Sequence, residues 1–277
     1  MNIIGLGGCG CNIAEKFQGN SAYKVFQFDH EPEKPSVDKI NRIPYQKSHE
    51  EYESNFVFPD IDLNDIHNET IFICCSSGTI SGCSLKLLEN FKDTQTRIVL
   101  VISEEEHYSE QHYLQHKLIF NSLQDYARSG VFKDIILISN ETLENSIPDL
   151  TFTNRFEKIN QALYYMIHTL NIFENTEPLA QTKLDRKDHS RILSVGTYDC
   201  EKNEEKMYFT LDSESESVYY ASFSEERLET DTKLIGVMKE NFKNKNNSAY
   251  KIFSNKHGQD YGIVVKKTFF HQGQKLS

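Results

Sequence analysis

Two glycine-bearing loops, each set directly behind an apolar run, constrain this chain more than any other feature. Gly5-Leu6-Gly7-Gly8-Cys9-Gly10-Cys11-Asn12 follows residues 1–4, and Gly78-Thr79-Ile80-Ser81-Gly82 follows Ile71-Phe72-Ile73-Cys74-Cys75, about seventy residues later. Apolar residues recur at helical spacing behind both: Ile13, Ala14 and Phe17 after the first loop, Leu85, Leu88 and Phe91 after the second. Strand, glycine turn and helix in that order aim unpaired backbone N–H groups and the positive end of the helix dipole at an anion. One such turn suits a dinucleotide. Two suit a triphosphate gripped from both sides, whose roughly four negative charges call for many donors.

The same alternation continues to about residue 150. Strand-like runs at 2–6, 23–28, 70–75, 97–102 and 134–138 are separated by helical patterns, which predicts a parallel sheet wrapped by helices. A helix over 110–128 is predicted to end at Gly130 as its C-cap glycine. Phe156, Ile159, Leu163, Ile167 and Leu170 mark another long helix. Beyond Pro178 the pattern turns strand-rich, at 191–195, 205–211, 218–223, 250–253 and 261–268, with a helix over about 231–242. Residues 30–69, with four prolines, read as a long, partly ordered connection, and 212–217 as a solvated acidic turn. The expected class is α/β: a Rossmann-like parallel-sheet nucleotide-binding domain (1–155), a central helix and linker (156–180), and a smaller α+β domain (181–277).

Charge is unevenly spread. Net charge is −11, yet residues 233–277 carry nine lysines against Glu240 and Asp260, a balance of +7 that leaves −18 for residues 1–232. An acidic chain is a poor general nucleic-acid binder, so any contact with nucleic acid is expected through an adaptor or the basic C-terminal segment. Opposite charge at the two ends also favours attraction between copies. No run of about eighteen apolar residues and no signal-peptide pattern is present, so a cytoplasmic protein without membrane contact is expected. Five of the six cysteines sit in or beside the two loops, where they read as compact, reduced thiols in place of Gly, Ala or Ser. Cys9-x-Cys11 has the wrong spacing for a zinc knuckle. His112 and His116 share a helix face but lack a third ligand nearby, so an exposed surface is expected and no metal centre.

Taken alone, Gly5-x-Gly7-x-x-Gly10 fits the NAD fingerprint, with Asp29 as the ribose carboxylate. The second loop argues against it, because a pyrophosphate occupies a single helix N-terminus. No Gly-x-x-x-x-Gly-Lys-Ser/Thr sequence occurs, which excludes the P-loop mode. In the second loop Ser76, Ser77, Thr79 and Ser81 are the expected hydroxyl donors, and Gly78 and Gly82 are expected to let the backbone approach.

At the level of motifs the chain resembles the tubulin/FtsZ GTPase superfamily along nearly its whole length. Gly7, Gly8, Cys9, Gly10, Cys11 and Asn12 are similar to the family's first nucleotide loop, whose glycines lead into Asn. Ser76-Ser77-Gly78-Thr79-Ile80-Ser81-Gly82 resembles the signature Gly-Gly-Gly-Thr-Gly-Ser/Thr-Gly, with glycine replaced at Ser76, Ser77 and Ile80. Phe156 and Asn160 resemble the guanine site at the head of the long helix, an aromatic ring against the base and an amide on its edge. Leu184-Asp185-Arg186-Lys187-Asp188 stands in the place of the catalytic loop Asn-x-Asp-x-x-Asp, with Lys183 where the family has Asn.

The resemblance implies GTP/GDP and Mg²⁺ as ligands and head-to-tail self-assembly, with Asp185 and Asp188 of one subunit completing the site of the next. It also implies nucleotide contacts from Asp29 and Glu110. Glu104-Glu105-Glu106 is expected as a solvated loop near the nucleotide mouth. Nothing in 30–69 matches the family's Gly- and Ala-rich γ-phosphate loop, and no terminal partner-binding tail is seen. Brevity and divergence are closer to phage or plasmid tubulins, which would place the protein in a host cytoplasm. A tubulin-like protein with lost or weak turnover, an NAD-binding Rossmann enzyme and a DNA-bound partition component stay open as other readings.

Overall fold

A computed structural model describes residues 1–30, 40–63, 66–103, 109–182, 190–243, 245–256 and 258–273. The chain forms two compact units, Met1–Tyr164 and Tyr165–Gln272, with Gly273 belonging to the first.

The first unit runs β1 (Asn2–Leu6), α1 (Gly7–Glu15), β2 (Lys24–His30), β3 (Ile40–Ile43), α2 (His49–Ser54) and β4 (Glu69–Cys75). A 3₁₀ turn (Thr79–Cys83) then leads to α3 (Ser84–Glu89), β5 (Gln95–Ile102), α4 (Glu110–Arg128), β6 (Asp134–Ser139), α5 (Asn140–Glu144) and α6 (Arg155–Glu174). The strands lie in the order β3-β2-β1-β4-β5-β6, every neighbouring pair parallel. Helices cover such a sheet on both faces, so its central strands read as unbroken apolar runs; Ile3, Ile4, Phe72, Ile73, Val99 and Leu100 are fully buried. Strand order reverses between β1 and β4, and in open parallel sheets that switch point opens a crevice at the carboxyl ends of the strands. Both glycine loops leave the sheet there.

Glycine is needed where α1 closes on the sheet. A Cβ on Gly10 would run into the Ile73 carbonyl oxygen of β4. Gly7, with φ +70°, turns the chain from β1 into the helix. Gly130, with φ +83°, ends α4 as expected, and the Val131 N–H donates back to the Tyr126 carbonyl.

At the start of β5 and β6, Arg97 Nε and Nη2 donate to the two carboxylate oxygens of Asp134 at 2.6 and 2.8 Å, both side chains buried. Removing one partner strands a desolvated charge. Arg97→Met is expected to cost about 3 kcal/mol in urea unfolding, with most of it recovered in the Arg97→Met, Asp134→Leu double variant.

The second unit takes the C-terminal half of α6, then β7 (Ala180–Gln181), β8 (Ile192–Asp199), β9 (Glu204–Met207), β10 (Glu216–Ser224), α7 (Glu225–Thr230), α8 (Leu234–Phe242), β11 (Ser248–Asn255) and β12 (Tyr261–Thr268). Its order is β8-β12-β10-β11-β7, with β9 beside β8; β10 and β11 are parallel and the other pairs antiparallel. Alternation along β10 serves both faces. Tyr220 stacks on Phe173 of α6, while Ala221 and Phe223 pack on Leu234 and Met238 of α8.

Four expectations change. Residues 30–69 contain β3 and α2, the latter capped by Ser48, whose Oγ accepts from Glu51 N–H at 3.2 Å. The 212–217 segment is only partly a turn, since Glu216 and Ser217 are buried as the start of β10 opposite Lys267 and Lys266. The strand expected over 205–211 is limited to β9. The helix expected over 231–242 begins later, because Asp231 is extended (ψ 90°) and closes α7, its carboxylate accepting from Lys233 N–H.

A buried-edge charge cluster ties β9 to its neighbours. Glu205 accepts from Tyr219 Oη at 2.6 Å, Lys245 Nζ at 2.7 Å and Lys266 Nζ at 3.0 Å. Burial opposes its ionisation, but these three donors outweigh it and hold the carboxyl down to about 2. A depressed carboxyl stabilises the fold above its ordinary value of 4.5, and that contribution is lost as pH falls through about 2. Thermal unfolding should therefore show stability falling over this acid window, with the slope reduced in Glu205→Gln.

Candidate functional site

At the switch point lies a cavity of about 310 Å³ in the first unit. Leu6, Gly7, Gly8 and Cys9 line it from one loop, and Cys75, Ser77, Gly78, Thr79, Ile80 and Ser81 from the other. Asp29 and His30 close it from the end of β2, and Tyr45, Gln46 and Tyr52 from the segment around α2. A larger cavity of about 430 Å³ opens near the start of β5 among Leu88, Phe91, Thr94, Thr96 and Phe132, but neither glycine loop lines it.

The first turn of α1 faces this cavity without a side-chain cap at Leu6, so its N–H groups have no intrahelical partner. The second turn is built by its own hydroxyls: Ser81 Oγ donates to the Gly78 carbonyl at 2.6 Å and Ser84 Oγ to the Ser81 carbonyl at 2.6 Å. Ile80 is buried, and its Cγ2 occupies the space beside Gly7 where a side chain there would sit. Asp29 accepts from the His30 backbone N–H at 2.8 Å and pairs with His30 Nδ1 at 3.0 Å. Burial raises the Asp29 pKa, against the hydrogen bond and charge of His30.

The structure separates the sequence-derived candidates into two groups. Gly7, Gly8, Cys9, Asp29, Ser77, Gly78, Thr79, Ile80 and Ser81 share the cavity wall. Gly10 faces β4, and the buried Cys11 thiol donates to the carbonyls of Gly5 (3.5 Å) and Phe28 (3.4 Å). Asn12 is exposed on α1. Ser76 is fully buried and gives its hydroxyl to the Val101 carbonyl at 3.3 Å. Gly82 makes room for the backbone of His49, so that glycine seats α2 beside the loop.

Glu110 is exposed at the first turn of α4. Phe156 is 68% exposed beneath the Arg155 guanidinium, and Asn160 is buried one turn further along α6. The head of α6 is held beside α1 by Lys16 and Glu157 (2.6 Å) and by the edge-on pair Phe17 and Tyr164. Lys183, Asp185, Asp188 and Glu104-Glu105-Glu106 lie outside the described residues. His116, expected on an exposed face, is fully buried against Phe120, and burial lowers its pKa to about 4.

Tyr45, Gln46 and Tyr52 were not legible as site residues. The available signal was Ser48-His49-Glu50-Glu51, the Ser-x-x-Glu pattern that starts a helix. Among the described residues no cluster of three or more His, Cys, Asp or Glu is placed to hold a metal, and no helix is long and apolar enough to cross a membrane.

No family model matches the sequence, and no curated protein matches it. Solved structures do. An empty FtsZ dimer of M. jannaschii superposes with a TM-score of 0.62 at 12% identity, over 100% of this chain and 92% of that one. CetZ from Methanosaeta thermophila gives 0.69 at 13%, over 98% and 87%. CetZ2 from Haloferax volcanii, a GTPγS-bound protofilament, gives 0.66 at 10%, over 96% and 92%. The chain has the tubulin/FtsZ-type fold.

Proposed function

We propose that this protein binds GTP, hydrolyses it and assembles head to tail into filaments. The observation that carries this is the single cavity at the β1/β4 switch point, walled by both glycine loops. In this reading residues 1–155 form the nucleotide domain, 156–180 the central helix and linker, and 181–277 the smaller domain.

The N–H groups of Gly8 and Cys9 and the turn from Ser77 to Ser81 hold the phosphates, where the α1 dipole favours negative charge. Phe156 offers a face to guanine and Asn160 an amide to its edge, while Asp29 serves the ribose side. Mg²⁺ would arrive with the phosphates and neutralise part of their charge. The oxygen donors lining the cavity, Ser77, Thr79 and Asp29, suit that ion, which usually keeps water and takes only one or two carboxylates. Asp185 and Asp188 of the adjoining subunit orient the water that attacks the γ-phosphorus, whose bond to the bridging oxygen breaks as GDP leaves. The FtsZ dimer and the GTPγS-bound CetZ2 protofilament support self-association and a guanine nucleotide by analogy.

One observation favours a second reading in which the fold is kept but turnover is weak. Ile80 fills space where the resembled signature has glycine, and Ser76 spends its hydroxyl on the backbone. Phosphate release measured across protein concentrations separates the two. A shared site gives a per-molecule rate that climbs with concentration; a rate that stays near zero at all concentrations favours the second reading. Raising salt should weaken assembly, because attraction between the acidic and basic ends is screened over about 8 Å at physiological ionic strength.

A further inference from the structure

The cysteines fall into two populations. Cys11, Cys74 and Cys83 are buried, whereas Cys9, Cys75 and Cys200 are partly exposed; of these, Cys9 in the first turn of α1 and Cys75 at the end of β4 line the same cavity. α1 packs against β4, which brings the two thiols to one wall of the crevice. Cys75 Sγ also lies 3.0 Å from Ser103 Oγ and 3.2 Å from Ser77 Oγ, and those hydroxyls are 2.8 Å apart. Two hydroxyls, which share their protons with each other and with the sulfur, thus border Cys75 at the cavity that the open N-terminal end of the nine-residue α1 also lines. Such settings favour a thiolate.

We infer that Cys9 and Cys75 form a hydroperoxide-reactive dithiol in the wall of the cavity, with Cys75 as the attacking sulfur and Cys9 as the resolving one. The Cys75 thiolate attacks the peroxide oxygen, the O–O bond breaks, and the hydroxide released takes a proton to become water. Cys75 is left as sulfenic acid. Cys9 sulfur then attacks Cys75 sulfur, the S–O bond breaks, and that hydroxide leaves as water with the Cys9 proton. Two thiols and one peroxide become one disulfide and two waters, with two electrons passing from sulfur to oxygen. Proton affinities agree with these roles. The Cys9 thiol is the largest influence holding Cys75 down to about 5, while Cys75 and burial push Cys9 up. Burial raises Cys11, Cys83 and Cys200 to about 12 and Cys74 further still.

A bridge here would tie the first turn of α1 to the end of β4 across the phosphate end of the cavity. The consequence for nucleotide rests on the function proposed above; the thiol chemistry does not. The test treats the full-length protein with hydrogen peroxide, blocks free thiols with N-ethylmaleimide and maps the peptides by mass. The expected result is a Cys9–Cys75 cross-link, lighter by two hydrogens and reversed by dithiothreitol, forming about ten-fold faster or more than any modification of Cys200. Cys9→Ser should leave a Cys75 sulfenic acid that dimedone traps. Full maleimide labelling of Cys9 and Cys75 after peroxide, or oxidation of Cys75 no faster than of Cys200, overturns the inference. GTP affinity lost on oxidation and regained on reduction supports both proposals. A reversible cross-link with unchanged GTP affinity upholds the dithiol and contradicts the nucleotide site.

Discussion

Replacing Asp185 and Asp188 together with alanine is expected to lower GTP turnover by about 10²-fold or more, while GTP affinity stays within about two-fold. The difference follows from where the groups act. In the proposed reading the glycine turns and hydroxyls of the cavity's own wall grip phosphate, so binding needs no carboxylate from a second molecule. Water attack in that reading does need one, because a positioned acidic group would orient the nucleophile only when the neighbour's loop is docked. Filaments of the double variant should therefore form with GTP and persist longer than wild type, since the GDP state that loosens them is not reached. Phosphate release and light scattering on the same sample measure both effects. Turnover retained in the double variant refutes the role assigned to these residues.

The second large effect concerns two neighbouring glycines with opposite duties. Gly10→Ala should destabilise the first unit by about 3 kcal/mol or more, because its Cβ meets a backbone carbonyl of β4 that cannot step aside. Gly8 has open space around it and lines the cavity, so Gly8→Leu should leave the thermal midpoint nearly unchanged. Its side chain would enter the space the proposal assigns to phosphate, and GTP affinity should fall about ten-fold or more. Thermal unfolding and a binding titration on both variants separate the two duties. Equal loss of stability in both, or unchanged affinity in Gly8→Leu, contradicts the division between packing and lining glycine.

That division marks the limit of what the sequence discloses. Strands β1, β4, β5 and β6 were legible because strands buried on both faces are written as continuous Val, Ile, Leu and Phe. The two loops were legible because only glycine and small residues suit such turns. The direction of each side chain was not. Cys9 and Cys11 stand two residues apart in one motif, yet one lines the cavity and the other gives its thiol to the carbonyls of Gly5 and Phe28. Serines 76 and 77 divide the same way. Helix α2 escaped notice because six residues hold little apolar periodicity, and it docks by bringing the His49 backbone onto Gly82, a contact that leaves no hydrophobic pattern. Glu216 and Ser217 looked solvated by composition, but the pairing of β10 with β12 carries them inside.

Whether a guanine nucleotide sits at the β1/β4 crevice is read most directly by equilibrium titration of the purified, nucleotide-free protein with GTP, ATP and NAD. The prediction is saturable binding of one GTP per chain, tighter than ATP or NAD by about 10²-fold, and weakened about ten-fold or more by Gly8→Leu. Binding of NAD in preference to GTP, or GTP binding that Gly8→Leu leaves untouched, contradicts it.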